Sequence, residues 1–175
     1  RKSIDTNIIA VTGSCGKTTL KELLGNVLSK ISKVTISPKS YNNKFGVPLS
    51  LFNIKQNDEF GILEVGMDKK GEINYLSKII QPDVGVITNI NYAHVKNFKN
   101  IKQIALAKSE IINNIKPCGF IVLNSDDSFF ELHKKIAKEK NLNVISFGIK
   151  SKKADVKLIN LKPFEKKFRI NISLN

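Results

Sequence analysis

Arginine is almost missing from this chain. Arg1 and Arg169 are the only two, although lysine and arginine together number 29 against 15 acidic residues, a formal net charge of +14. Proteins that read nucleic acid lean on the planar, bidentate guanidinium for bases and phosphates. Runs of aromatic residues are lacking as well, so no nucleic-acid partner is expected despite the charge. A lysine-rich surface suits anionic small substrates such as nucleotides equally well, and the joint abundance of Lys, Asn and Ile resembles an AT-rich coding bias. Cysteine is scarce too. Cys15 and Cys118 have no metal-ligand spacing and no disulfide-dense context, which fits a reduced, cytoplasmic setting. No apolar run approaches the length of a membrane span, so no membrane partner is expected. Internal repeats and low-complexity linkers are absent. The remaining composition, 175 residues with 41% hydrophobic and 25% charged, suits one globular domain with a good-sized core.

Strand and helix patterns alternate along the chain. "IIAVT" (8–12) reads as a short buried strand, followed by the glycine loop "GSCG" and a helix over about 17–30 carrying Leu20, Leu23, Leu24, Val27 and Leu28. "KVTI" is a second strand, and "SPKSYNNKFGVP" a polar loop with turn residues at both ends. "FGILEVG", "VGVITNI", "FIVLN" and "NVISFG" are further strands. "GEINYLSKII", 101–115 and 127–140 are helices, and "NYAHVKNFKN" is a loop. Such alternation predicts an α/β fold, a mostly parallel sheet with helices on both faces. After about residue 150 the pattern changes: "ADVKLINLKP" and "KKFRINISLN" read as two strands of a short antiparallel β appendage.

Open parallel sheets bind ligands beyond the carboxyl ends of their strands, so those ends are where chemistry is sought. After the first strand comes "TGSCGKTT". Its glycines free backbone N–H groups for a phosphate, the next helix adds the positive end of its dipole, Lys17 can reach terminal phosphates, and Thr18 can offer a hydroxyl to Mg2+. The strict P-loop spacing needs a glycine where this chain has Val11; the shorter form G-x-x-G-K-T-T is present, in the strand–loop–helix context of a P-loop nucleotide-binding type. Gly13, Ser14, Cys15, Gly16, Lys17, Thr18 and Thr19 are the candidate nucleotide-binding residues, with Asn89 at the end of "VGVITN". Glu64 ends its strand among apolar neighbours, where a carboxylate needs either a metal or an ion pair. His94 lies in a loop, as a surface residue or a metal ligand. Asn42 and Asn43 either form a turn or aim their amides at a substrate. Asn124, Asp126 and Asp127 are best explained as helix caps. Lys108 falls on the same helical face as Ile101, Ile104, Ala105, Ile111, Ile112 and Ile115: its ammonium either bends out to water or has a task.

"VTGSCGKTTLKE", "NNKFGVPLS", "LEVGMDKKGEI", "PDVGVITNINYAH" and "IALAKSEI" occur in order between Val11 and Ile111, a likeness that covers most of residues 8 to 125. Together they resemble the Mur ligases, the ATP-dependent amide-forming enzymes of peptidoglycan precursor synthesis. "GSCGKTTLKE", the paired asparagines and "GEI" most resemble the branch that joins D-Ala-D-Ala to UDP-MurNAc-tripeptide. The resemblance implies two Mg2+ sites, one held by Thr18 and Glu64 and the other by His94 and Lys108, with Lys108 carbamylated by CO2. Lys17, Lys108, His94 and Asn43 are the implied catalytic residues, with Asn42 and Asn43 near the substrate. Burial of a lysine lowers its pKa and supplies the neutral amine that carbamylation needs. Lys99 and Asn100 depart from the glycine and serine usual after the family's "AH…F" segment. The family also has UDP-sugar-binding and C-terminal ligase domains, so residues 1–175 are expected to be a single, incomplete central ATPase domain (1–150 its α/β core, 151–175 the start of the β appendage). A monomer is expected. Three alternatives stay open: a nucleotide-binding module without ligase activity, a sister ligase with another amino-acid acceptor, and a nucleic-acid-dependent P-loop ATPase.

Overall fold

The computed structural model describes residues 1, 5–92, 97–164 and 167–174. One mixed sheet runs through it, in the order β2-β3-β1-β4-β5-β6-β7-β8. The strands are β1 (Asn7–Thr12), β2 (Val34–Ile36), β3 (Phe60–Glu64), β4 (Val84–Ile87), β5 (Phe120–Asn124), β6 (Asn143–Gly148), β7 (Val156–Phe164) and β8 (Lys167–Leu174). β1 to β6 are parallel, as the alternating pattern predicts. β1 pairs with β3 on one side and β4 on the other, so the chain reverses direction across the sheet at β1 and opens a crevice beyond its carboxyl end.

The helices are α1 (Lys17–Leu28), α2 (Gly46–Phe52), α3 (Glu72–Ile80), α4 (Ile101–Ser109) and α5 (Phe130–Glu139). Strand alternation splits the core in two. Ile8 and Ala10 of β1 join the larger cluster, with Ile73 and Leu76 of α3, Ile104 of α4 and Ala137 of α5. Val11, Ile62 and Val86 face the other way and are covered by Leu20, Leu24 and Leu28 of α1. Helices therefore do cover both faces, with α1 alone on one of them among the described residues. Leu23 and Val27, counted with the apolar stripe of α1 in the sequence, are more than half exposed.

Two elements differ from the sequence reading. Residues 46–52, read as the end of a polar loop and its sequel, form α2. Asn43 Oδ1 accepts from the N–H groups of Phe45 and Gly46, 3.0 Å each, and Pro48 sits in the first turn, where a missing N–H has no intrahelical partner to lose. The long helix expected over 101–115 is α4 followed by a 3-10 segment, Glu110–Asn114. The C-terminal ribbon is antiparallel, as expected, with a register shift between Leu158 and Asn160. It is continuous with the main sheet, because Phe147 and Gly148 of β6 pair in parallel with Val156 and Lys157 of β7.

Candidate active site

The turn between β1 and α1 is held from behind by the end of β4. Ser14 donates its backbone N–H to Asn89 O (2.9 Å), and its hydroxyl meets the backbone of Asn91. The Asn89 amide grips the Cys15 backbone twice, accepting from its N–H at 3.1 Å and donating to its carbonyl at 3.2 Å, while Thr88 Oγ1 donates to the same carbonyl at 2.6 Å. Asn89, singled out as a nucleotide-binding residue, thus has its side chain spent on the shape of the loop. The loop passes so close to β4 that a Cβ on Gly13 would meet Thr88 Oγ1 at 1.9 Å, and Gly13 has φ 144, where L side chains are rarely found. With Ser14 and Cys15 engaged, the backbone donors left for an anion are those opening α1, whose N-terminus no side chain caps. Lys17 curls over this end, its Nζ 3.1 Å from Gly13 O.

Glu64 ends β3 one strand away and is 1% exposed. Its carboxylate accepts from Thr18 Oγ1 at 2.6 Å and from Asn42 Nδ2 at 2.8 Å. Its own N–H donates to Ser37 Oγ at 3.2 Å. No cationic side chain among the described residues pairs with it. A buried carboxylate met only by neutral donors suits a divalent cation and argues against the ion-pair reading. The described residues contain no group of three His, Cys, Asp or Glu that could hold a metal. Mg2+ is held by one or two protein ligands, its shell completed by phosphate oxygens and water. The other expected ligand, His94, lies outside the described residues.

The two asparagines divide their work. Asn42 touches Glu64 and accepts the Gly66 N–H through its own carbonyl at 2.8 Å. Asn43 caps α2, the turn-forming role, with its amide at the cleft wall. Asn124 and Asp127 cap the turn into α5, and Asp127 Oδ2 also accepts from Ile90 N at 2.7 Å, fixing the segment that holds the glycine loop. Asp126, expected as a third helix cap, instead accepts from the N–H groups of Ile149, Lys150 and Ser151 and closes the turn after β6.

Lys108 does not bend out to water. It is 2% exposed, and its Nζ donates to Gly13 O at 2.9 Å, so α4 reaches under the sheet to the same carbonyl that Lys17 caps from above. Burial first, and the nearby Lys17 charge second, together pull its pKa from 10.5 to about 7 against a weaker opposing effect of Cys15. A neutral amine at ordinary pH is the form that adds CO2. Lys17, Lys108, Asn42, Asn43 and the loop from Gly66 to Glu72 line one cleft of about 780 Å³.

Sequence reasoning gave no role to two residues that tie this cleft together. Glu110, two residues beyond Lys108, accepts from Gly71 N at 2.8 Å and from Asn74 N at 3.1 Å, closing the N-terminus of α3 and anchoring the cleft-lining loop to α4. A glutamate in "AKSEI" offers no local signal for a contact 39 residues away. Lys21 lies fully buried one helical turn beyond Lys17; its position inside "GKTTLKE" reads as an ordinary helix residue.

A glycine loop at a sheet switch point, a lysine and threonine opening the next helix, and a buried carboxylate on the adjacent strand define a nucleotide-binding α/β domain of P-loop type. Comparison narrows the class. The Mur ligase middle domain family matches residues 11–174, and the chain belongs to that family. It is 41% identical over 153 residues to the UDP-N-acetylmuramoyl-tripeptide–D-alanyl-D-alanine ligase of Buchnera aphidicola subsp. Acyrthosiphon pisum, covering 87% of this chain and 33% of that protein. Among solved structures, MurF from Acinetobacter baumannii superposes with a TM-score of 0.88 at 34% identity, over 97% of this chain and 36% of that one. MurF ligase from Thermotoga maritima in complex with ADP gives 0.86 at 32% identity, over 98% and 39%. The chain thus spans between a third and two fifths of the length of these relatives.

Proposed function

We propose that this chain is the central catalytic domain of an ATP-dependent ligase that joins D-Ala-D-Ala to UDP-MurNAc-tripeptide, acting as a monomer in the cytoplasm. The observation that carries the reading is Lys108: a buried amine with a pKa near 7, held 2.9 Å from the glycine-loop carbonyl, is hard to explain as packing alone. ATP binds with its terminal phosphates at the first turn of α1, where Lys17 and the N–H groups of Gly16, Lys17, Thr18 and Thr19 meet them. Thr18 and Glu64 would hold one Mg2+. Lys108 as its carbamate, with His94, would hold the second. When bound, the two cations offset the negative charge gathering on the transferred phosphoryl group.

The tripeptide carboxylate displaces ADP from the γ-phosphorus and becomes an acyl phosphate. The free amine of D-Ala-D-Ala then attacks the acyl carbon, and phosphate leaves as the amide forms. Lys17 steadies the phosphates throughout, while Asn42 and Asn43 orient the carboxylate side of the cleft. The test is phosphate release from Mg·ATP in bicarbonate buffer by the native-length polypeptide, with the two substrates added singly and together. Release that needs both supports the ligase. ATP binding without substrate-dependent release would leave a nucleotide-binding module, and release with a different amino acid in place of D-Ala-D-Ala would make it a sister ligase.

A further inference from the structure

Among the described residues, Lys21 is the largest side chain with no exposed surface. An ammonium is expensive to bury, and an ordinary leucine would serve the inner face of α1 without that cost. All three of its donors nevertheless have acceptors: Ser37 O at 2.6 Å, Lys39 O, and the carboxylate of Glu22 at 3.2 Å. Ser37 and Lys39 belong to the segment leaving β2, and Lys39 has φ 43, a left-handed conformation that a residue with a side chain adopts only when its surroundings hold it there. From this point two tight turns, Tyr41 N to Pro38 O (3.0 Å) and Asn42 N to Ser40 O (2.7 Å), carry the chain to Asn42. Asn42 then grips Glu64 and Gly66, and Ser37 Oγ accepts the Glu64 N–H.

The geometry points to Lys21 as a positioning residue for Glu64. It lies four residues after Lys17 and three after Thr18, so one stretch of α1 carries the phosphate lysine, the hydroxyl on Glu64 Oε2 and the clamp on the loop that holds Glu64 Oε1. Through Ser37 and Asn42 it fixes the carboxylate from the side opposite Thr18. Lys21 touches neither nucleotide nor metal; it keeps the carboxylate aimed. This role rests on the reading of Thr18 and Glu64 as the holders of a divalent cation.

The experiment measures Mn2+ binding to the native-length polypeptide in the presence of ADP, by the loss of the free-ion EPR signal, beside ADP affinity in EDTA. In Lys21→Met the Mn2+ dissociation constant rises at least tenfold while ADP affinity in EDTA changes less than twofold. In an Asn42→Ala background, which weakens Mn2+ binding by itself, adding Lys21→Met changes it by less than twofold more, because the relay is already cut. Lys21→Arg keeps the charge and the donors and restores part of the affinity. Should Lys21→Met not fold, Lys21→Gln, which removes the charge and one donor, decides: weakened Mn2+ binding with intact ADP binding supports the role. Mn2+ affinity equal to wild type in the tested variant, with only a lowered melting temperature, overturns it. Wild-type Mn2+ binding that survives Glu64→Gln overturns the underlying metal reading, a result distinct from either.

Discussion

Replacing Lys108 by methionine is predicted to stabilise the protein in CO2-free buffer while abolishing its chemistry. At about 1.4 kcal/mol for each tenfold change in proton affinity, holding this amine at about 7 instead of 10.5 is a penalty on the order of 5 kcal/mol, fully present below pH 7. The residue is 2% exposed, so solvent screening does little to reduce it. Methionine has similar length and no charge, and the Gly13 carbonyl that Lys108 leaves keeps Lys17 as a donor at 3.1 Å, so the loss on the other side is about 1 kcal/mol. The net expectation is a gain of roughly 3–4 kcal/mol at pH 6.

The sign of the pH dependence is fixed by the depressed pKa. Between about pH 7 and 10.5 the unfolded chain holds a proton on this amine that the folded chain has released, so wild-type stability rises with pH across that window. From pH 7 to 9 this group alone adds about 2 kcal/mol, and Lys108→Met lacks that rise. Urea unfolding of both proteins at pH 6, 7, 8 and 9 is the assay. Wild-type and variant curves that run parallel over the whole range would refute the buried, near-neutral amine on which the catalytic reading depends.

Gly13→Ala should abolish nucleotide binding measured by calorimetry, since its Cβ would sit 1.9 Å from Thr88 Oγ1 at a positive φ and force the loop off β4. Thr88→Ala, which vacates that space but leaves the φ, should restore only part of the binding. Glu110→Ala removes the acceptor that closes α3 and should lower stability by about 1–2 kcal/mol in urea unfolding; a change under a few tenths would contradict the anchoring role. His133 is buried on α5 against α4, its Nε2 3.1 Å from Ala105 O, and burial depresses its pKa against the opposing pull of that carbonyl and of Asp127. Its contribution to stability is therefore complete above about pH 6.5 and lost as pH falls toward the folded value. His133→Gln should flatten the decline in melting temperature between pH 6.5 and 5.

The parallel core was legible because β1 and β3 to β6 are short apolar runs bounded by turn residues, and each helix between them keeps an apolar stripe. The glycine loop and the residues gathered around it stood out because they sit at strand ends: Gly13 to Thr19 after β1, Glu64 on β3 and Asn89 after β4. Lys108 stood out as a charge on an apolar face. What escaped the sequence depends on contacts between distant residues. Gly46 and Pro48 carry turn propensity, and only the Asn43 cap and packing on α3 and β3 make α2 of them. Asn89 has the composition of a ligand but is consumed by the Cys15 backbone. Lys21 and Glu110 look like surface charges of amphipathic helices until their partners 16 and 39 residues away are seen. Stripes of this kind also overstate burial, as exposed Leu23 and Val27 show.

The acyl-phosphate step is the centre of the account, and oxygen tracing reaches it most directly. UDP-MurNAc-tripeptide labelled with 18O in its terminal carboxylate is ligated to D-Ala-D-Ala by the native-length polypeptide with Mg·ATP, and the released phosphate is weighed by mass spectrometry. Attack of the carboxylate on the γ-phosphorus predicts one 18O in each phosphate formed, and no labelled phosphate from Lys108→Ala. Amide product accompanied by unlabelled phosphate would contradict the account.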